Sequence, residues 1–204
     1  MKNIIYCFIF WCIHSLFFTV KTFAQHSDPS PEQLSEFKEL TLRRVNDLTN
    51  YIKQIGDKSL PERPRLKSIQ LAMSLFDTVY YNANGKKITR MPTVQVSRKD
   101  GSVENIPIRQ YFNNLFKLPH FPKIEISSYD VSYCSDFEKG MDGNYHATAF
   151  YYQSFKGYDQ KGKVSYESKD RKAIEVTEKP NAKGKFTISF GNISVIETTA
   201  LSPN

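Results

Sequence analysis

The sequence predicts an α+β fold in which three helices from the first half of the chain pack within a strongly curved, mostly antiparallel sheet. Three observations carry that prediction. Residues 123–198 read as four long strands in succession: KIEISSYDVSYC, GNYHATAFYYQSF, KVSYESKDRKAIEVTEK and GKFTISFGNISVIET. Each is rich in β-branched and aromatic residues, and Gly-containing breaks at 139–143, 157–162 and 181–184 make the neighbours an antiparallel meander. Upstream, apolar residues recur at helical rather than alternating spacing. Two of the strands also change phase. Ile124 and Ile126 give way to Tyr129, Val131 and Tyr133, and Phe186, Ile188 and Phe190 give way to Ile193 and Val195. Extra residues near Ser127–Ser128 and Gly191–Asn192 are therefore expected as β-bulges, which bend a sheet.

Taken in order, the chain opens with Met1–Lys2–Asn3, an apolar run from Ile4 to Val20, and small residues at Thr22 and Ala24. That pattern predicts a cleaved signal peptide over 1–24, export, and no stable membrane insertion afterwards. Cys7 and Cys12 lack the small residues that precede a lipidated cysteine. Residues 25–30 are a polar lead-in, and 31–200 are expected to form one domain. Ser30–Pro31–Glu32–Gln33 is a helix start with a capping box. Leu34, Phe37, Leu40, Val45, Leu48, Ile52 and Ile55 then line one face of a helix of about six turns, which ends at Gly56. A second helix is expected from the Pro61–Pro64 region, with Leu66, Ile69, Met73 and Phe76 buried. Short strands follow at 78–81, 93–97 and 102–106, with turns at Asn84–Gly85 and Asp100–Gly101. Pro107 opens a third helix whose inward residues are Ile108, Tyr111, Phe112 and Leu115.

Composition excludes several function classes. The chain carries a formal charge of +7, and removing Lys2 and Lys21 with the leader lowers it by two to +5. The remaining basic residues are scattered rather than gathered in a stripe, so nucleic acid is not an expected partner. Cys134 is the one cysteine outside the leader, so no internal disulfide forms, and no partner that would activate its thiol is legible. His26, His120 and His146 lack ligand spacing, and no metal site is expected. Glycines occur as turn residues, with neither a GxGxxG nor a Walker loop. No cofactor is implied.

The order of elements resembles the nuclear-transport-factor-two-like superfamily, in which a cone-shaped sheet wraps the helices. Four stretches are more specifically similar to an uncharacterised group of secreted Bacteroidetes proteins: SLFD, IPIRQYFNNL, YYQSFKGYDQKG and GNISVIET. That resemblance implies a Tyr–x–Asp–x–Thr–x–Lys pattern on the third long strand. Tyr166 and Lys172 match it, whereas Ser168 and Asp170 replace its two central polar residues. The superfamily contains isomerases, dehydratases and cyclases beside non-catalytic binding and dimerisation modules, and fold alone does not choose among them.

Strict alternation places Val164, Tyr166, Ser168, Asp170, Lys172, Ile174 and Val176 on one face. On a concave face, Tyr166, Ser168, Asp170 and Lys172 would floor a pocket, with His146 a further ligand-binding candidate. On a convex face they would be a solvated stripe, the more usual fate of strand charges. Tyr151, Tyr152 and Gln153 are candidates for an interface, as in a homodimer formed through the sheet. Isomerase-type chemistry needs a base and an acid that stabilises an enolate, for which Asp130, Tyr133, His146 and Tyr152 are on offer. Asp130 and Tyr133 fall on opposite faces of a regular strand, and no residue is assigned a catalytic role. The expected function is thus a periplasmic or extracellular non-catalytic module that binds a small molecule or an envelope protein. The alternatives are a small-molecule isomerase or hydrolase, and a structural subunit of an envelope complex.

Overall fold

Ser30 caps the first helix as its sequence demands. Its Oγ accepts the Gln33 backbone N–H at 3.3 Å, and its own N–H donates to Gln33 Oε1 at 2.8 Å. This helix, α1 (Pro31–Gly56), buries Phe37, Val45, Leu48, Ile52 and Ile55. In the computed structural model the described residues are 28–81, 87–98, 102–128, 133–180 and 185–201. The leader, the turn dipeptides Asn84–Gly85 and Asp100–Gly101, Asp130 and the break at 181–184 lie outside them.

Helix α2 (Glu62–Met73) corrects an expectation. Leu66 is 43% exposed, and the buried face is Arg65, Ser68, Ile69 and Ala72. Arg65 explains the rotation. Its Nε and Nη2 donate to the Ile55 carbonyl at 3.0 and 2.9 Å, and Nη2 reaches the Phe116 carbonyl at 2.6 Å. One guanidinium so satisfies orphan carbonyls at the ends of α1 and of α3 (Ile108–Lys117), where cations are favoured. Phe76 lies past the end of α2. It packs edge-on against Phe112 and Phe190 while the chain beside it bridges to the last strand of the sheet.

The strands are β1 (Val79–Tyr81), β2 (Lys87–Thr89), β3 (Thr93–Ser97), β4 (Val103–Pro107), β5 (Lys123–Ser128), β6 (Tyr133–Cys134), β7 (Glu138–Lys139), β8 (Tyr145–Tyr158), β9 (Val164–Pro180) and β10 (Phe186–Leu201). β1 and β2 form a separate antiparallel pair, of which only β1 is legible in the sequence. The other eight strands form one curved, mixed sheet in the order β4-β3-β10-β9-β8-β5, with β6 and β7 also on β8. Every pairing is antiparallel except β3 with β10.

The first expected long strand is thus two. From Ser128 to Tyr133 the chain advances five residues, while its partner retreats three, from Gln153 to Phe150. The second expected irregularity is where the phase change puts it. Phe190 pairs with Val176 and Ile193 with Ile174, so Gly191 and Asn192 together oppose Glu175, one residue more than the partner strand supplies. A further shift between Val195 and Glu197 was not legible and leaves Ile196 51% exposed. Gly157 also differs from expectation. It is no turn residue but sits inside β8, paired with Ile124 and Tyr166, and the turn falls later at Gly162, with φ +76°.

The concave face and the helices share one core. Val45, Leu48, Ile52, Ile108 and Phe112 meet Ala149, Tyr151, Ile174, Val176, Ile188 and Phe190. Each fully buried aliphatic or aromatic side chain contributes about 1.5–3 kcal/mol. The alternation along β9 continues past Val176 to Glu178, which is completely buried with neither carboxylate oxygen hydrogen-bonded among the described residues. Burial pushes its carboxyl up to about 7 from an ordinary 4.5. Between those values the folded state holds a proton that the unfolded state has released, so stability falls as pH rises. The full cost, reached above the folded pKa, is roughly 3 kcal/mol. We expect a higher melting temperature near pH 5 than near pH 8 from this group, and Glu178→Gln should flatten the difference mainly by stabilising the protein at the higher pH. Parallel pH–stability curves for wild type and variant would show that Glu178 is not the cause.

Candidate functional site

The face of β9 that carries Tyr166, Ser168, Asp170 and Lys172 is concave. Ser168 is 4%, Asp170 8% and Lys172 3% exposed, so the solvated stripe expected of strand charges is not what forms. The reason lies in the bend. The sheet curls around the helices, and β3, β4 and α3 close over this part of β9. The result is a cavity of about 370 Å³ between sheet and helix, lined by Val96, Ile106, Leu115, Leu118 and the rings of Tyr111, Phe121, Phe155 and Tyr166. Ser168, Asp170, Lys172 and Gln153 supply its polar floor, and the Arg98–Glu104 ion pair stands at its rim. That size and mixture are usual for a small-molecule site.

Asp170 and Lys172 sit two apart on one face, so the pleat itself brings them together. Lys172 Nζ is 3.6 Å from Asp170 Oδ2 and donates to the Gln95 carbonyl at 3.3 Å. Asp170 Oδ1 accepts from Thr198 Oγ1 at 2.8 Å and from Ser97 Oγ at 3.4 Å. Burial lowers the Lys172 ammonium below the ordinary lysine value, and the neighbouring carboxylate pulls the other way. Burial also raises the Tyr111 and Tyr151 phenols well above their usual range, with the Asp170 charge adding to the effect. Both phenols therefore stay protonated and can donate. The Gln153 side chain pulls the Tyr111 phenol the other way, by a smaller amount. Phe121 reaches the cavity wall because β8 presents Gly157 there, where a Cβ would lie 2.5 Å from the Phe121 ring.

Other sequence candidates fall elsewhere. His146 is on the opposite face near the start of β8, with Nε2 2.9 Å from Asp142 Oδ1 and Nδ1 3.3 Å from Thr177 Oγ1. It borders a separate hollow with Glu138, Lys139 and Glu175. Tyr151 and Gln153 are buried at 1% and 6%, pointing inward, so of the three interface candidates only Tyr152 reaches the surface. Tyr152 belongs to an outer-face cluster. Arg171 donates to Tyr133 Oη at 2.7 Å, its guanidinium lies 5.3 Å from the Phe150 ring centre and 6.0 Å from that of Tyr152, and Tyr133 stacks on Phe150 at 4.5 Å. Burial pushes the Cys134 thiol up to about 11, away from thiolate chemistry. Gln95, Ser97 and Thr198 complete the Asp170–Lys172 site. No sequence signal marked them, because β3 meets β10 through a parallel contact between segments about a hundred residues apart.

No family model and no curated protein matches the chain. Among solved structures it is similar to Aln2 from a Streptomyces species, with a TM-score of 0.38 and 12% identity over 83% of this chain and 93% of that one. It is also similar to a scytalone dehydratase-like protein from Novosphingobium aromaticivorans (TM-score 0.41, 10% identity, 85% and 93% covered). A third is ActVI-ORFA from Streptomyces coelicolor (0.36, 9%, 76% and 96%). The α+β class rests on the strand order and register described above.

The buried ion pair has a measurable consequence. Lys172→Met strands the Asp170 carboxylate and should destabilise the fold by about 3–5 kcal/mol, whereas the double variant with Asp170→Asn should recover much of that loss. Urea unfolding of the two single variants and the double variant reads this coupling. Additive losses would mean that the two groups do not interact.

Proposed function

We propose that this chain is a nuclear-transport-factor-two-like domain that binds a small molecule in the cavity between β9 and α3. The observation that carries the reading is the buried Asp170–Lys172 pair on the floor of an otherwise apolar, aromatic-walled cavity. A pair this deep contributes little net stability, so its position facing ligand-sized space is what calls for a role. The ligand is mainly apolar, with one polar group that meets Lys172, Ser168 or Tyr111. The domain acts without turnover, as a receptor or carrier, and the leader pattern supports export to the periplasm or beyond. Among the described residues no helix is long and apolar enough to cross a membrane. An isomerase or hydrolase is the second reading. It draws support from the same pair, because an amine lowered by burial beside a carboxylate is the raw material of a base.

Native mass spectrometry of the purified protein, with and without added aromatic alcohols, tests the site. Retained or added small-molecule mass should vanish in Ser168→Phe, which fills the cavity floor, while circular dichroism stays unchanged. Equal retention by the filled variant would place the ligand elsewhere. The outer-face cluster of Tyr133, Phe150, Tyr152 and Arg171 supports a homodimer formed through the sheet, since aromatics and arginine are enriched at interface centres. Tyr152→Ala should then shift the sedimentation of a dimer toward monomer, and a wild type that sediments as a monomer at all concentrations would end that part of the proposal.

A further inference from the structure

The charges on the cavity floor restrict what the cavity accepts. Asp170 and Lys172 neutralise each other, and the carboxylate is already engaged by Thr198 and Ser97 on one oxygen and faces Lys172 with the other. An anionic ligand would add an uncompensated charge to a buried site, and a cationic one would find no free carboxylate oxygen. A neutral ligand fits. The walls narrow it further, since Phe121 and Phe155 meet edge-on at 5.9 Å, Phe155 and Tyr166 meet tilted at 5.8 Å, and all three line the space. Aromatic guests pack well in such a box.

We propose that Lys172 captures an aromatic aldehyde or ketone held among these rings, forming a reversible imine at its Nζ. The proposal rests on the cavity being a ligand site and adds the ligand's chemical class. Asp170 completes the chemistry. Lys172 Nζ and Asp170 Oδ2 lie 3.6 Å apart, and passing one proton from the ammonium to the carboxylate as the carbonyl compound enters leaves Lys172 a neutral amine. Its nitrogen attacks the carbonyl carbon, and the C=O π pair moves to oxygen, which takes the proton from Asp170. The nitrogen returns a proton to Asp170, giving a neutral carbinolamine. Asp170 then protonates the hydroxyl, which leaves as water while the nitrogen lone pair forms C=N. The net change is ammonium–carboxylate plus carbonyl to iminium–carboxylate plus water, so the buried pair keeps its charge balance and no oxidant or reductant is needed. Burial favours both ends of this step: it lowers the Lys172 ammonium and keeps the Tyr111 phenol protonated, ready to donate to the carbonyl oxygen.

Naphthaldehyde with sodium cyanoborohydride tests the proposal, read by intact mass and peptide mapping of the full protein. Naphthylmethanol, which cannot form an imine, is assayed in parallel by thermal shift. The expected result is a reduced adduct on Lys172 in wild type. The adduct should be absent in Lys172→Met and in Lys172→Arg, the second of which keeps the charge and guards against a folding defect, and it should form more slowly in Asp170→Asn. The alcohol should raise the melting temperature of wild type, and Lys172→Arg should keep the wild-type circular dichroism spectrum. Adducts confined to surface lysines, with the alcohol still bound, would overturn the imine while leaving the ligand site standing. No engagement of either compound would overturn both.

Discussion

The slip of β10 against β9 at Gly191–Asn192 is the joint on which the architecture turns. Before it, β10 runs in register with β9 from Phe186 to Phe190, and after it the ladder resumes at Ile193. The bulge is held rather than loose. Glu175 accepts both the backbone and side-chain N–H groups of Asn192, at 3.1 and 3.0 Å, and Asn192 Oδ1 accepts from the Thr93 backbone and hydroxyl at 3.0 and 3.2 Å. Asn192 thereby ties the bulge to the start of β3, and the next residue, Ile193, pairs with Val94. Immediately before the slip, Phe190 exchanges backbone hydrogen bonds with Leu75 and Asp77, docking the end of α2. One irregularity bends the sheet, recruits the β3–β4 hairpin to its edge and seats the helices in the concavity. Without the hairpin there would be no roof over Asp170 and Lys172.

Among the described residues, three kinds of ionisable site lie deep in this fold, and each is treated differently. Arg65 makes three hydrogen bonds to backbone carbonyls and lies 4.3 Å from the centre of the Phe116 ring, so its charge is dispersed over two helix ends. Asp170 and Lys172 compensate each other at one end of β9. Glu178, eight residues on and on the same face, has no hydrogen bond to either oxygen among the described residues. A single strand face so runs from a neutralised polar floor, through Ile174 and Val176, to a carboxyl that favours its proton. The apolar middle separates two electrostatically distinct ends. The first of them opens onto ligand-sized space between sheet and α3.

Much of this was legible, and the illegible parts share a cause. The α1 capping box, the α3 start at Pro107, β3 and the bulge at Gly191 follow from local chemistry, in which a serine, a proline or a lost alternation acts on its immediate neighbours. Arg65 was missed because an arginine on an apolar helix stripe reads as solvent-facing until the two helix ends it serves are placed beside it. The Asp170–Lys172 face was identified as a set, but which side of the sheet it occupied depended on curvature, a property of the whole sheet. Its hydroxyl and amide partners come from β3 and β10, at separations no pattern spans. Tyr151 and Tyr152 show the same limit in miniature, since adjacent residues on a strand must part company, and only the assembled sheet decides which goes inside.

At Gly157 a single hydrogen sets a dimension of the cavity. The Phe121 ring occupies the space any larger side chain would claim, and Lys58 grips the wall from behind by donating to the Leu118 and Phe121 carbonyls at 2.7 and 2.5 Å. The boundary on this side is therefore built like a fitted panel rather than a hinged door, pressed into a recess of the sheet and pinned to the end of α1. Its depth is a matter of steric inheritance between two positions far apart in the chain. A lineage that enlarged residue 157 would have to trim residue 121 in step, and the width of the admitted guest would be rewritten by that exchange without any change to the charges beneath it.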